Sequence, residues 1–351
     1  MIGETKMRRI SRLASLLSVF SVLTSCAANT GDQSEKYSIA LMTDTGGIND
    51  QAFNQSAWEG AKRVKQDLDF NVRYIESKQV SDYKTNLDSL ADSDPDMIFV
   101  MGYTAADVLK DVAGVNTDQH YTIIDNEYDE KIDNILSVRF RDEEPAFLVG
   151  YIAGSVTKSN KIGFIGGAKS DTIDAFEFGF RAGVAWAAKE LDKEIDVEVQ
   201  YADNFQDDTK GKAMANVMYS KGIDIIYHGA GNLGRGVIEA AKENNKYVIG
   251  ADRDQKYLAP KNVISSTIKL TGEVVYRVCS EIKETGNLDD ITGRNAKMGF
   301  KEGVVDISEA TKEMIEPELV EKVEDLKEKI INQEIVPPNN ESSFDKYISN
   351  L

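Results

Sequence analysis

Residues 42–60 read MTDTGGINDQAFNQSAWEG and join an apolar segment, SIALMT, to a helical pattern. The turn holds aspartates, asparagines, adjacent glycines and one phenylalanine at the point where a strand passes into a helix. Beyond it, Ala57, Ala61, Val64 and Leu68 recur at the spacing of one helix face. The stretch therefore predicts a strand, a polar turn and an amphipathic helix, which is the opening unit of an α/β fold.

The same alternation continues along the chain. Short apolar segments alternate with helical patterns, and several of them are apolar throughout, as strands covered on both faces are. The series runs twice, with a helical segment at about 144–156 between the two runs. We therefore predict an α/β protein with two doubly wound parallel-sheet lobes and a cleft between them. The strand candidates are 38–43, 71–76, 97–101, 121–125, 135–140, 161–166, 196–201, 223–228, 247–252 and 263–268.

The N-terminus has the pattern of a secretory signal. A basic segment at 7–12 precedes an apolar run at 13–23 that is too short to span a bilayer permanently. Leu23-Thr24-Ser25-Cys26 then resembles a bacterial lipobox, in which the cysteine is lipidated and becomes the first mature residue. We predict a signal peptide at 1–25, a lipid anchor on Cys26 and a polar tether at 26–36. The alternative is an ordinary signal peptide with a chance cysteine.

The charge of the chain excludes one class of partner. The full chain has 41 Lys and Arg against 59 Asp and Glu, a formal net charge of −18. Residues 1–25 contain four of those Lys and Arg and one Glu, so the chain from Cys26 onward carries −21. Such an acidic body repels nucleic acid and anionic headgroups, so attachment to a membrane, at the periplasmic face or the cell surface, would come from the lipid. Cys279 lies in an apolar helical pattern and is predicted to be in the core.

Polar residues follow several of the predicted strands. Asp44 follows the first, Asp125 ends the fourth, and Asp252 and Asp254 follow the segment YVIGA at 247–251. Ligands of doubly wound sheets bind at the carboxyl ends of the strands, so these acids predict a ligand site in the cleft. The alternative for any single acid is a helix cap.

Three phenylalanines are candidates for contact with a planar ligand. Phe53 begins the first helix, Phe176 lies at the start of another, and Phe205 lies in a hydrophilic turn after a strand. Stacking of a base on an aromatic ring contributes about 1–3 kcal/mol. The alternative for each ring is a place in the core.

The segment GAGNLG at 229–234 fits the G-x-G-x-x-G dinucleotide pattern, with Asp252 about 20 residues further on. It keeps an NAD-dependent enzyme open as an alternative. The pattern comes late in its domain, however, and the two histidines, His120 and His228, belong to no evident acid–base group. The sequence also lacks nucleophile motifs and the His and Cys clusters of metal sites. We therefore expect a binding protein with no catalytic residues, metal or cofactor.

The chain resembles the basic membrane lipoprotein family, which includes bacterial purine nucleoside receptors. The resemblance rests on these segments: DTGGINDQAFNQSAWEGAK (44–62), FRDEEPAFLVGYIAG (140–154), FEFGFRAG (176–183), GAGNLGRGVIEAA (229–241), GADRDQ (250–255) and SSTIKL (265–270). It implies a type I periplasmic-binding-protein fold and a role as the substrate-binding subunit of an ABC nucleoside importer.

The resemblance also implies roles for individual residues. A purine would lie between Phe53 and Phe205, with Phe176 as the fallback for the second ring, and polar groups would contact the base and the ribose. Asp254 competes with Asp252, and Lys269 follows a mostly uncharged strand. The remaining implied contacts are Asp44, Asn54 and Asp125 on one side and Gly231, Asp252 and Lys269 on the ribose side.

These interpretations give the expected organisation and partners. We assign 37–142 and roughly 270–315 to lobe 1, and 143–269 and roughly 316–351 to lobe 2. The expected partners are adenosine, guanosine or inosine, an ABC permease and the membrane. Two alternatives remain: a sugar or autoinducer receptor on the same fold, or a surface adhesin that binds host extracellular proteins.

Overall fold

The computed structural model describes residues 36–351, so the predicted signal peptide, Cys26 and the tether up to residue 35 lie outside the described residues. Twelve strands and ten helices are found within this range. The strands are β1 (Ser38–Met42), β2 (Asn71–Ile75), β3 (Met97–Met101), β4 (Tyr121–Ile124), β5 (Ile135–Phe140), β6 (Lys161–Gly166), β7 (Asp196–Tyr201), β8 (Ile225–Gly229), β9 (Tyr247–Gly250), β10 (Val263–Lys269), β11 (Arg294–Met298) and β12 (Val305–Ile307). The helices are α1 (Phe53–Asp67), α2 (Asp82–Ala91), α3 (Ala106–Val115), α4 (Glu143–Val156), α5 (Asp171–Glu190), α6 (Asp208–Ser220), α7 (Leu233–Asn244), α8 (Thr271–Thr285), α9 (Pro317–Ile331) and α10 (Glu341–Asn350).

The strands form two six-stranded sheets. The first has the order β11-β5-β4-β3-β1-β2 and is parallel throughout. The second has the order β12-β10-β9-β8-β6-β7 and is parallel except for its edge strand β12. Two doubly wound α/β lobes were predicted, and this fold class is confirmed. All ten strand candidates coincide with strands of the structure.

We call the first sheet with α1–α3 and α8 the first lobe, and the second sheet with the other helices the second lobe. The chain crosses between the lobes after β5, after β10 and between β11 and β12. We assigned roughly 270–315 to the first lobe, but β12 lies in this segment and pairs with β10 of the second sheet. The exact boundaries of the lobes stay a prediction.

The opening turn is organised by Asp50. Its carboxylate accepts hydrogen bonds from the backbone N–H groups of Ala52, Asn54 and Gln55, which are free donors at the beginning of α1. Asp44, the other acid of the turn, is therefore not the group that caps the helix. Because Asp50 satisfies the helix terminus, Phe53 is fixed at the first position of α1, at the edge of the cleft.

Helix α1 packs closely against α8 through two glycines. A Cβ atom at Gly60 would collide with the backbone of Gly272, and a Cβ atom at Gly272 would collide with the backbone carbonyl of Ser56 in α1. The buried face of α1 includes the predicted Ala57, Ala61 and Val64. This contact fixes α1, and with it Phe53, relative to the crossover segment that precedes α8.

We expect Gly60→Ala to lower the free energy of unfolding by about 1–3 kcal/mol, because the added methyl group has backbone on its other side. Gly114→Ala is the matched control. Gly114 also lies within a helix, α3, but a Cβ atom there would have no neighbour within 4 Å. It should raise the free energy of unfolding by about 0.5 kcal/mol. Urea denaturation measures both; equal effects of the two changes would contradict the packing argument.

Candidate ligand-binding site

A cavity lies between the lobes at the carboxyl ends of the strands. It encloses about 740 Å³, including the space at its open mouth. In the first lobe its walls come from the turns after β1, β3 and β4 and the beginning of α1. In the second lobe they come from the beginning of α5, the turns after β7, β8 and β9, and the end of β10. This is the edge at which doubly wound sheets bind ligands.

All nine residues that the sequence proposed for ligand binding line this cavity, although their role in binding stays a prediction. Of the two competing acids, Asp252 lines the cavity, whereas Asp254 is exposed and accepts a hydrogen bond from the backbone of Lys256. Both Phe176 and Phe205 line the cavity, so the structure keeps both rings as candidates. The nine residues are Asp44, Phe53, Asn54, Asp125, Phe176, Phe205, Gly231, Asp252 and Lys269.

Asp44 and Asn54 form a pair on one wall. The Asn54 amide donates to Asp44 Oδ1 at 2.7 Å and to Asp50 Oδ2 at 2.9 Å, and its oxygen accepts from the Asp44 backbone N–H. A Cβ at Gly46 would lie 2.9 Å from both side chains, so a residue without a side chain is needed here. Asp44 Oδ2 has no hydrogen-bond partner among residues 36–351 and remains available as an acceptor.

The environment of Asp44 disfavours its negative charge. Burial raises the pKa of Asp44 to about 6, although the hydrogen bonds from Asn54 and Gly46 lower it. The neighbouring carboxylates of Asp50 and Asp125 raise it further. The wall therefore presents a carboxyl group that gains from any donor that a ligand brings.

Lys269 lies at the centre of an acidic cluster at the end of β10. Its side chain is 3% exposed, and Nζ lies 2.8 Å from Asp125 Oδ2, 3.0 Å from Asp142 Oδ2 and 4.0 Å from Asp252 Oδ1. Burial alone would lower the pKa of Lys269, but the three carboxylates raise it above its ordinary value. The ammonium group is therefore charged at neutral pH.

Aromatic rings surround the same ammonium group. Nζ lies 5.6 Å from the ring centroid of Phe53, 5.3 Å from that of Phe140 and 4.9 Å from that of Phe176. Such distances are typical of cation–π contacts. The cluster thus places one cation, three acids and two of the candidate phenylalanines within one small volume.

Two of the acids of the cluster have an unusual backbone. Asp125 has a φ of +70° and Asp252 a φ of +68°, both in the left-handed region, directly after β4 and just after β9. Such strain outside glycine is concentrated at functional sites. Burial raises the pKa of Asp252 to about 6, while Lys269 lowers it. Asp125 Oδ1 is buried without a hydrogen-bond partner within the described chain, which leaves an acceptor for a ligand.

The two phenylalanines of the second lobe differ in their surroundings. Phe176 is 3% exposed and stacks on Tyr227 with centroids 6.2 Å apart, so it forms part of the core as well as the wall. Phe205 is only partly buried and lies against Gly167, where a side chain would collide with its ring. Phe205 therefore has the freer ring face.

The glycine segment at 229–234 serves packing. Gly231 has a φ of +55°, and a Cβ at Gly234 would collide with the buried His228 ring. At the beginning of α7, the N–H of Leu233 donates to the carbonyl of Phe205, and that of Gly234 donates to Gly231. These amides are occupied by protein carbonyls, which disfavours the dinucleotide alternative.

The sequence analysis did not select several residues of the site. Asp50, Tyr103 and Thr104 lie in polar turns after strands, and this position in the sequence could have identified them. Asp142 and Thr172 lie at the beginnings of helices, where the sequence has no distinctive pattern. Others, in the second lobe, are Gln206 and Asn232.

The lobes touch each other around the cavity. Thr172 Oγ1 donates to the carbonyl of Asp125 at 3.3 Å, and Tyr257 Oη donates to Gln51 Oε1 at 2.6 Å. Arg139 also donates to the carbonyl of Asp171 at 3.0 Å. The structure is therefore a closed arrangement with hydrogen bonds across the cleft.

Other potential sites are limited to what residues 36–351 contain. In this range no group of three or more His, Cys, Asp or Glu has the arrangement of a metal site. None of the helices in the same range is long and apolar enough to cross a bilayer. Cys279 is fully buried in α8, as predicted.

Comparison with known proteins identifies the family. The family model described as ABC transporter substrate-binding protein PnrA-like matches residues 37–341. The chain is 41% identical to Basic membrane protein B of Borreliella afzelii over 341 residues, which cover 94% of this chain and 96% of that protein. It is 34% identical to the CD4+ T-cell-stimulating antigen of Listeria monocytogenes over 342 residues, which cover 90% and 94%.

A solved structure shares the fold. A solute-binding protein of an ABC transporter system from Aeropyrum pernix K1 superposes with a TM-score of 0.80 at 26% identity, covering 90% of this chain and 97% of that one. The likeness of sequence and fold extends over nearly the whole described chain. The chain therefore belongs to the family of PnrA-like ABC transporter substrate-binding proteins, which bind a solute outside the cytoplasm for ABC transport.

Proposed function

We propose that this protein captures purine nucleosides in the cavity between its lobes and delivers them to an ABC permease. The observation that carries the proposal is that apolar ring faces line the cavity together with two carboxylate oxygens, Asp44 Oδ2 and Asp125 Oδ1, that have no hydrogen-bond partner among residues 36–351. A purine nucleoside offers the matching groups: a flat heteroaromatic ring, N–H donors and ribose hydroxyls. A simple sugar offers the hydroxyls without the ring.

The purine would lie between Phe53 and Phe205, with Phe176 behind it. Asp44 Oδ2 has no donor among residues 36–351 and would accept a hydrogen bond from an N–H of the base, while Asn54 holds the carboxylate in place. That N–H is on the ring in guanosine and inosine and on the exocyclic amine in adenosine. Hydrogen bonds to charged groups contribute about 1.5–3 kcal/mol. Stacking and one such bond together would select a purine over a ring without donors.

The ribose would lie at the acidic cluster. Asp125 Oδ1 and Asp252 would accept from the hydroxyls, and the Lys269 ammonium and the backbone of Gly231 would complete the contacts. Buried carboxylates that lose their ligand donors are costly, so a free base that leaves them unpaired should be rejected.

We also propose that Cys26 carries the lipid that anchors the protein to the membrane. The support is the lipobox-like segment that ends at this residue. More than one acyl chain is needed for firm anchoring, which a lipidated N-terminal cysteine would supply.

Calorimetric titration tests the ligand class. We expect adenosine, guanosine or inosine to bind, and adenine and ribose each to bind at least about tenfold more weakly, because each leaves half of the site unsatisfied. Tight binding of ribose or another free sugar, with no binding of nucleosides, would show that the sugar-receptor alternative is right.

In the same titrations, Phe53→Ala should weaken nucleoside binding by about 1–3 kcal/mol, through the loss of stacking. Phe53→Leu is the matched variant, because it keeps most of the buried volume and loses the ring face. It should also weaken binding, while changing the free energy of unfolding less than Phe53→Ala does. Wild-type affinity in both variants would place this ring in the core alone.

Asp44→Asn should change stability and ligand affinity in opposite directions at neutral pH. The raised pKa of Asp44, about 6, means that its contribution to stability is fully present below pH 4 and is lost as the pH rises through 6. Asparagine carries no charge, so the empty variant should be more stable than the wild type at pH 7.5, by about 1–3 kcal/mol, and equally stable near pH 4. Its affinity for the nucleoside should nevertheless fall.

Urea denaturation at several pH values and calorimetry measure these two effects. Asp254→Asn is the control, since Asp254 is exposed and outside the cavity. It should leave both the pH dependence and the affinity unchanged. A lower stability of Asp44→Asn at pH 7.5 would contradict the argument that burial disfavours this carboxylate.

The anchor is tested by fractionation. Cys26→Ser should move the protein from the membrane fraction to the soluble fraction and remove the acyl mass from the N-terminal peptide. Cys279→Ala is the control, because this buried thiol lies far along the chain in α8. A Cys26→Ser protein that stays in the membrane fraction would mean that another feature attaches it.

A further inference from the structure

The partners of Lys269 come from three different parts of the fold. Asp125 follows β4 of the first lobe, and Asp252 follows β9 of the second lobe. Asp142 lies on the crossover between β5 and α4, and Lys269 itself ends β10, next to the crossover into α8. One ammonium group therefore links both lobes and two of the segments that join them.

Asp142 is the partner that does not line the cavity. Its side chain is 4% exposed, and its Oδ2 lies 3.0 Å from Lys269 Nζ. Burial raises the pKa of Asp142 well above its usual range, while the Lys269 ammonium lowers it. A buried acid outside the cavity cannot contact a ligand directly, so ligand binding does not explain why Asp142 contacts Lys269.

The two acids that line the cavity have two potential partners, the Lys269 ammonium and a ligand. Asp125 and Asp252 are the proposed acceptors for ribose hydroxyls, and both also face the Lys269 ammonium. They lie on different lobes, so any opening of the cleft separates them. Asp142 directly precedes α4, and α4 packs against β10, the strand that Lys269 ends. This packing lies within the second lobe, so opening of the cleft leaves Asp142 and Lys269 close together.

We propose that Asp142 is a positioning residue, which holds the Lys269 ammonium in place through their direct contact while Asp125 and Asp252 turn to the ligand. A buried cation needs a partner in every state of the protein, and Asp142 supplies one that is independent of the ligand and of closure. The ammonium is then preorganised for the ribose hydroxyls before the lobes close. This inference rests on the proposed nucleoside-binding function.

A double-mutant cycle in binding tests the proposal. Asp142→Asn should weaken adenosine binding at least about tenfold, and 2′,3′-dideoxyadenosine binding by less than about threefold, because that analogue lacks the hydroxyls that Lys269 meets. In a Lys269→Met background, Asp142→Asn should change adenosine binding by less than about twofold, since its only target is gone.

The matched control is Glu177→Gln. Glu177 is another buried carboxylate, 4% exposed, but it contacts Arg181 and Tyr201 on α5 and β7 and not Lys269. It should leave the affinities for both ligands within about twofold. Equal losses for adenosine and the dideoxy analogue in Asp142→Asn, or a full loss in the Lys269→Met background, would overturn the proposal.

A double-mutant cycle in protein stability, measured without ligand, separates this inference from the proposed function. Its four proteins are the wild type, Asp142→Asn, Lys269→Met and the double variant. If the wild-type protein binds no nucleoside, the function proposed above is wrong, and urea denaturation of the same four proteins still tests the pairing. Non-additive changes in the free energy of unfolding support it, and additive changes overturn it. Should Asp142→Asn alone fail to fold, recovery of folding in the double variant supports the pairing, and failure to recover overturns it.

Discussion

The arrangement of the cleft depends on the contacts between the buried ammonium of Lys269 and the carboxylates around it. Of the described residues that line the cavity, it is the only cationic one, and the carboxylates around it come from both lobes. An ammonium group in such a dry place is tolerated only with partners, and the acids are tolerated only with the ammonium. The lobes are therefore held together at their centre by charge, whereas direct hydrogen bonds such as that of Tyr257 to Gln51 act at the rim.

The turn between β1 and α1 contains two acids with different roles. Asp50 satisfies the terminus of α1, so Asp44 can face the cavity. Within the described part of the chain, only Asn54 and Gly46 donate to its carboxylate. The adjacent glycine lets these groups approach, because any side chain would press on both. Two acids in one turn thus have separate tasks: one builds the helix and the other faces the ligand space.

The alternation of apolar segments and helical patterns predicted the fold and the edge at which the site lies. It missed β11 and β12, because β11 is a half-buried edge strand with the polar sequence RNAKM and β12 has only three residues. Position at a strand end singled out Asp44, Asp125 and Asp252, but only the folded chain shows that Asp252 lines the cavity and that Asp254 is exposed.

Asp142 shows the limit of that reasoning. Its neighbours in sequence, Arg141 and Glu143, are also charged, and the pattern of a helix start explains all of them equally well. The partner of Asp142 is more than a hundred residues away, on another crossover, so only the folded chain identifies it. Long-range pairs of this kind have no local signature, which is why the sequence predicted the walls of the cavity and missed the residue behind them.

The excess of acids over cations in the cavity also has a physical consequence for closure. Burial raises the pKa of Asp44 and of Asp252 to about 6, so the closed cavity holds carboxylates whose charge burial disfavours. Opening would return them to water, and a ligand with several donors would instead satisfy them in the closed state. We therefore expect closure to depend on a ligand that carries hydrogen-bond donors, because such donors offset the desolvation of these carboxylates.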